Sequence, residues 1–271
     1  MINKVRVIYF SPNGSTKTLA EYLAKAVADS LAVPWESNSY TLPKEREQKY
    51  IGNPNELIIW ASPVYAGRIP NKTLDYVKSA FQGNGAMVVP LVVFGNRSYD
   101  GALAELCQIM KASGGKVVGA CALVAEHAFS GLVGKARPDL DDYLSIDKFV
   151  SNLLSKLESG DMDLKSEVPG DVEHYYVPKK ENGDPANFLK AHPKVNEEIC
   201  LSCAMCESKC PMGSIKFNGE HPRFEGICIK CQACRKSCPA DAIYFDDEDF
   251  LSHVRMLENE FRDRKENEFY L

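Results

Sequence analysis

Residues 200–239 read Cys200-x2-Cys203-x2-Cys206-x3-Cys210-Pro211, and the phrase returns as Cys228-x2-Cys231-x2-Cys234-x3-Cys238-Pro239. Each cysteine of the second set stands 28 residues after its counterpart, and Ile215 and Phe217 recur at the same interval as Ile243 and Phe245. One unit is thus written twice, each copy with four thiols. Three closely spaced thiolates wrap a single loop around one iron–sulfur cube and serve three of its iron corners. The fourth lies too far along to close the same cube and reaches the other cluster. The spacing therefore assigns Cys200, Cys203, Cys206 and Cys238 to one [4Fe-4S] cluster. It assigns Cys228, Cys231, Cys234 and Cys210 to the other. Pro211 and Pro239 fix φ and turn the chain away from each site. Paired structural zinc sites are the alternative, but zinc favours separated Cys-x2-Cys pairs over a triplet with a distant fourth. A disulfide framework conflicts with the reducing compartment that so many thiolates require.

Residues 193–246 resemble the bacterial two-cluster ferredoxins in this doubled motif. About 190 residues precede them, enough for a full domain with its own core. The chain is 45% hydrophobic and 25% charged, which places it among ordinary globular proteins. A net charge of −5 argues against nucleic acid as a partner. Cys107 and Cys121 fall outside the doubled motif, in apolar contexts, and read as buried core thiols. No signal-peptide pattern opens the sequence. The longest apolar stretch, residues 86–94, is too short to span a bilayer and contains Pro90. A cytoplasmic protein without membrane insertion is expected.

Upstream, residues 4–10 form a buried β-branched strand pattern. A polar loop, Ser11-Pro12-Asn13-Gly14-Ser15-Thr16, follows at once, and then Leu19, Leu23 and Val27 mark one face of a helix. A hydroxyl-rich loop opening a helix suits a phosphate, through unpaired N–H groups and the positive helix end. A plain N-capped turn uses the same residue types. A triphosphate P-loop fits poorly, because Lys17 and Thr18 lack the Gly-x4-Gly-Lys frame. Further strands are expected near 33–40, 56–61, 86–94 and 116–125, with helices near 71–81, 101–113 and 140–158. Strands alternating with helices predict a doubly wound parallel sheet covered on both faces. With the order 2-1-3-4-5, the loops after the first, third and fourth strands become neighbours at the carboxyl ends, where such sheets bind ligands.

Those loops look like the FMN-holding loops of flavodoxins. The resemblance implies that Ser11, Asn13, Gly14, Ser15 and Thr16 take the phosphate. Ser62, Pro63, Val64, Tyr65, Ala66 and Gly67, with Gly95, Asn96, Tyr99 and Asp100, would flank the isoalloxazine. Tyr65 and Tyr99 are the stacking candidates, and Gly67 would bring its backbone to the flavin N5. The sequence departs from the family in having Asn13 where Thr or Ser is common; Asn still donates. The uninterrupted fifth strand is of the short-chain type. His127, in the loop after that strand, is a candidate proton donor at the flavin edge, or an ordinary loop histidine. Arg68 and Arg137 are candidates for an anionic substrate or partner, or surface arginines.

The order of parts, the Gly95-Asn96-Arg97-x-Tyr99-Asp100 loop and the Pro63-Val64-Tyr65-x-Gly67-Arg68 loop resemble the flavodoxin–ferredoxin fusion proteins of anaerobic microbes. The implied division is a flavodoxin-like FMN domain over 1–158, a linker over 159–192 that Tyr175 and Tyr176 pin to a surface, and a small α+β two-cluster ferredoxin domain over 193–246. A C-terminal docking helix and tail fill 247–271, with Phe250, Val254, Leu257 and Phe261 on one stripe. The family implies electron transfer between two [4Fe-4S] clusters and FMN. An oxidoreductase fed by a ferredoxin-type one-electron donor is one reading, with a small-molecule acceptor. An electron carrier between protein partners is another. Clusters that are structural or sensory form a third.

Overall fold

The computed structural model describes residues 2–271. The apolar runs become strands and the amphipathic stretches become helices, in alternation: β1 (Lys4–Tyr9), α1 (Ser15–Leu31), β2 (Trp35–Ser39), β3 (Glu56–Pro63), α2 (Asn71–Ser79), β4 (Met87–Phe94), α3 (Ala102–Ala112), β5 (Ala120–Val124) and α4 (Leu140–Glu158). The five strands pair in parallel in the order β2-β1-β3-β4-β5. This is the flavodoxin-like doubly wound order. Strand periodicity sends Leu57 and Ile59 to one face, with α1 and α4, while Ile58 and Trp60 go to the other, with α3. Both faces are covered, which is why β3 and β4 are apolar almost throughout. Cys107 and Cys121 are buried core thiols; desolvation pushes Cys107 up to about 12 and raises Cys121 as well.

Downstream come α5 (Met205–Lys209), the antiparallel pair β6 (Ile215–Phe217) and β7 (Pro222–Phe224), α6 (Ala233–Lys236), α7 (Glu248–Glu260) and β8 (Glu268–Tyr270). Val195 pairs with Ile243 in a second short ladder. The cysteine-rich part has only a small core, Cys206, Ile215, Cys234 and Ile243, so the two equivalent isoleucines of the doubled motif meet at its centre.

Two expectations change. The segment 159–192 is a strap fastened to the sheet domain and to α7, more than a linker. Leu164 N–H donates to Val117 O (3.0 Å), Tyr176 N–H donates to Ala66 O (2.9 Å), and Gly101 leaves no room for a side chain beside Asp171. Tyr175 lies over the Arg68 guanidinium and Tyr176 over that of Arg97, at 5.0 and 3.7 Å from the ring centres. The C-terminal tail does more than dock. Beyond α7 it adds β8 antiparallel to β5, with Phe269 opposite Cys121 and stacked on Phe149 at 5.0 Å. It thereby covers a sheet edge that would otherwise present unpaired backbone groups. Three residues carry too little periodicity to announce a strand. No helix among the described residues is long and apolar enough to cross a membrane.

Candidate functional site

A cavity of about 550 Å³ opens at the carboxyl ends of β1, β3, β4 and β5. Its floor is the first loop. Gly14 sits at φ +92° as the residue before α1, a conformation that suits glycine. No side chain caps that helix start. Ser11 Oγ accepts from Lys17 N–H (3.0 Å), and Ser11 N–H donates to Thr41 Oγ1 (2.9 Å), so the loop is held from both ends. Among the described residues the backbone N–H groups of Ser15 and Thr16 have no acceptor, so this helix N-terminus could receive an anion.

The second wall is the turn Tyr65–Arg68. Ala66 and Gly67 both have positive φ (48° and 75°), and Tyr65 and Arg68 bond to each other across the turn, a type I′ hairpin. A side chain at Gly67 would run into the carboxylate of Asp100. Arg68 fixes the turn from behind. It forms a two-pronged pair with Glu105 (2.9 and 2.5 Å), both groups buried, and Glu105 also accepts from Ile69 N–H. This pairing raises the Arg68 pKa further and uses up the cation. Arg68 is therefore neither free for an anionic substrate nor a surface arginine. Arg137 lines the cavity, but it too is paired, with Asp142, and donates to Lys265 O (2.9 Å).

The third loop divides. Gly95, Arg97 and Ser98 line the cavity. Asn96 and Tyr99, named by sequence, turn away. Asn96 Nδ2 donates to Phe261 O and Asp263 O, both at 2.8 Å, and its Oδ1 accepts from Lys265 N–H, so it anchors the tail. Tyr99 packs on Phe94 in the core and its hydroxyl bonds Glu268 and Tyr270 of β8 at 2.6 Å. Burial, followed by these bonds, raises its pKa. Tyr99 is thus no stacking residue: the unforeseen edge strand claims its hydroxyl. Asp100 pairs with Arg97 and Ser98, and Ser62 is buried at the strand end, donating to Pro63 O. Tyr65 does line the cavity. Its pKa is raised well above the usual value, by burial first and then by the charges of Cys231 and Cys228.

His127 also lines the cavity, its ring packed so closely on Gly95 that no side chain fits there. Its Nδ1 accepts from Phe129 N–H (3.1 Å), which leaves the proton of the neutral ring on Nε2. Burial drives its pKa down to about 3. His127 is then a neutral N–H donor at ordinary pH. The sequence missed its counterpart: His253 of α7 lines the same cavity and its Nδ1 lies 2.8 Å from Lys179 O, so Nδ1 donates and Nε2 is an acceptor. Tyr176 and Phe188 of the strap, with Leu257 of α7, close this side. Nothing local in the sequence marks them, since strap and helix reach the cavity only through tertiary packing.

The remaining wall comes from the cysteine-rich part: Ile229, Lys230 and Lys236. Asn13 Nδ2 donates to Cys231 O (2.6 Å), Arg46 donates to Pro211 O (2.6 Å), and Lys236 pairs with Glu126 at 3.6 Å. Behind this wall lie two smaller hollows. One is lined by Cys210, Cys228, Cys231 and Cys234, and shares Ile229 and Lys230 with the large cavity. The other is lined by Cys200, Cys203, Cys206 and Cys238, and Cys203 is exposed. Each hollow takes three thiols from one copy of the motif and the fourth from the other. Among the described residues no group of three or more His, Cys, Asp or Glu side chains forms a site for a single metal ion.

No family model matches the chain, and no curated protein matches it. Among solved structures it is similar to a flavodoxin from Archaea, at 16% identity and a TM-score of 0.38, over 57% of this chain and 99% of that one. It is similar to the two-electron reduced flavodoxin of Megasphaera elsdenii at 14% identity and a TM-score of 0.38, over 55% and 98%. Flavodoxin 2 of Bacillus cereus gives 18% identity and a TM-score of 0.38, over 56% and 99%.

Proposed function

We propose that this chain is an electron-transfer flavo-iron–sulfur oxidoreductase, fed by a low-potential one-electron donor such as a ferredoxin-type protein. The observation that carries the reading is the sharing of Ile229 and Lys230 between the large cavity and the hollow lined by Cys210, Cys228, Cys231 and Cys234. It makes that thiol set the proximal one, and Cys200, Cys203, Cys206 and Cys238 the distal, more exposed one. Interleaving of the motif copies fits two [4Fe-4S] clusters. A zinc ion would need its four ligands drawn together on a single centre.

FMN fits the large cavity by the chemistry of its lining. The open N–H groups of Ser15 and Thr16 with the Ser11 and Thr16 hydroxyls suit a phosphate. The buried, unpartnered Oδ1 of Asn13 suits a hydroxyl donor, and Tyr65 offers an aromatic face. When bound, the clusters would carry single electrons and the flavin one or two. The chain's own residues do the rest. Tyr176, Phe188 and Leu257 shield the cavity from water, and His127 presents an Nε2–H donor while His253 presents an acceptor. This walled cavity supports a small-molecule acceptor over a carrier that serves only protein partners.

Anaerobic purification with iron, sulfide and flavin analysis tests the reading. Two [4Fe-4S] clusters and one FMN per chain are expected; zinc, or a chain that takes no flavin, would refute it. Mixing with reduced ferredoxin should bleach cluster and flavin absorbance together. Bleached clusters beside an oxidised flavin would count against electron transfer from the clusters to the flavin.

A further inference from the structure

Asn13 stands in the first loop, yet its side chain reaches across to the other half of the molecule. Its Nδ2 donates to the main-chain carbonyl of Cys231, 2.6 Å away and 218 positions along the chain. A carbonyl only accepts, so the amide nitrogen must face it and the orientation of the amide is settled. A primary amide carries two N–H donors and a hydroxyl only one. Asn13 therefore serves Cys231 and keeps a second donor for the loop's own ligand, which Ser or Thr in its place could not do. Its Oδ1 is buried and unpartnered, a further group awaiting a donor. Cys231 is itself buried, in a part whose core is only Cys206, Ile215, Cys234 and Ile243.

We propose that Asn13 is a positioning residue that couples flavin binding to assembly of the cluster at Cys210, Cys228, Cys231 and Cys234. One amide hydrogen holds the Cys231 carbonyl and the other holds the FMN phosphate. The proposal rests on the cofactor reading above. Coupling of this kind is reciprocal: a formed cluster tightens FMN binding, and bound FMN protects the cluster by the same factor.

The test uses the full-length chain under anaerobic conditions, as wild type and Asn13→Thr. FMN is titrated into protein with and without its clusters. In the wild type, cluster removal should weaken FMN binding by a factor within about 5–150; in Asn13→Thr that factor should fall towards one. A second measurement avoids stripped protein. Cluster loss to an iron chelator is followed by absorbance with and without FMN. FMN should slow the loss in the wild type and leave it unchanged in Asn13→Thr. A wild type whose FMN affinity ignores the clusters, or an Asn13→Thr variant that keeps the full coupling and protection, would overturn the proposal. A wild type that binds no FMN in either state would instead overturn the cofactor reading, and the proposal with it.

Discussion

Trp60 and Ile243 are both buried, in unlike surroundings. Trp60 lies inside an apolar layer that runs from Ile8 to Val124, with Tyr40, Tyr50 and Phe81 against its ring. Ile243 shares its core with one other isoleucine and two thiols. The sheet domain has enough buried apolar surface to hold itself together. The cysteine-rich part buries a much smaller apolar core of its own. The seam between the two is where the cavity lies.

The contrast can be broken most severely from the metal side. Removing iron with a chelator should abolish hydrogen-exchange protection across 200–239 while β1, β3, β4 and β5 keep theirs. Protection lost equally in both parts would mean that the sheet domain is not self-sufficient. Next in size, Trp60→Ala should destabilise the sheet domain by about 3–5 kcal/mol in chemical denaturation, the cost of a large aromatic lost from a packed core. A smaller effect belongs to the docking helix. Asp247 caps α7 by accepting from Phe250 N–H at 2.9 Å, so Asp247→Ala should cost about 1 kcal/mol. The urea midpoint would show it, with iron content unchanged.

The seam itself carries a pH dependence that is small near neutrality and grows as pH falls. His127 is held neutral down to about pH 3, whereas an unfolded histidine takes up its proton near 6.5. Between those values the unfolded chain binds the extra proton, so His127 makes stability rise with pH and costs stability as pH falls through 6.5 towards 3. His127→Gln should flatten the stability profile of the flavin-free protein in that window. An unchanged slope would show that His127 titrates freely at the cavity wall.

Two kinds of information meet in this chain, one local and one long-range. The strand near 56–61, the helices at 102–112 and 140–158, and the alternation of strands with helices were legible because periodicity is local. The doubled cysteine motif was legible for a related reason: its spacings are short and repeat 28 residues apart. The first loop also stands where the residues put it. Tyr99, Asn96 and Arg68 were misread because their partners are far away in the chain. Glu268 and Tyr270 take the Tyr99 hydroxyl, the tail carbonyls take Asn96, and Glu105 takes Arg68. His253, and the strap's place in the cavity wall, were missed for the same cause.

By itself, then, the sequence determined a doubly wound sheet, a polar loop that opens α1 and a four-cysteine motif written twice, since each follows from spacing within a few tens of residues. Only the tertiary structure decided which thiol set adjoins the cavity, that strap and α7 wall it, and that Asn13 spans the seam. Those facts depend on surfaces meeting across more than a hundred residues, and no local pattern encodes the pairing of a polar group with a partner that distant.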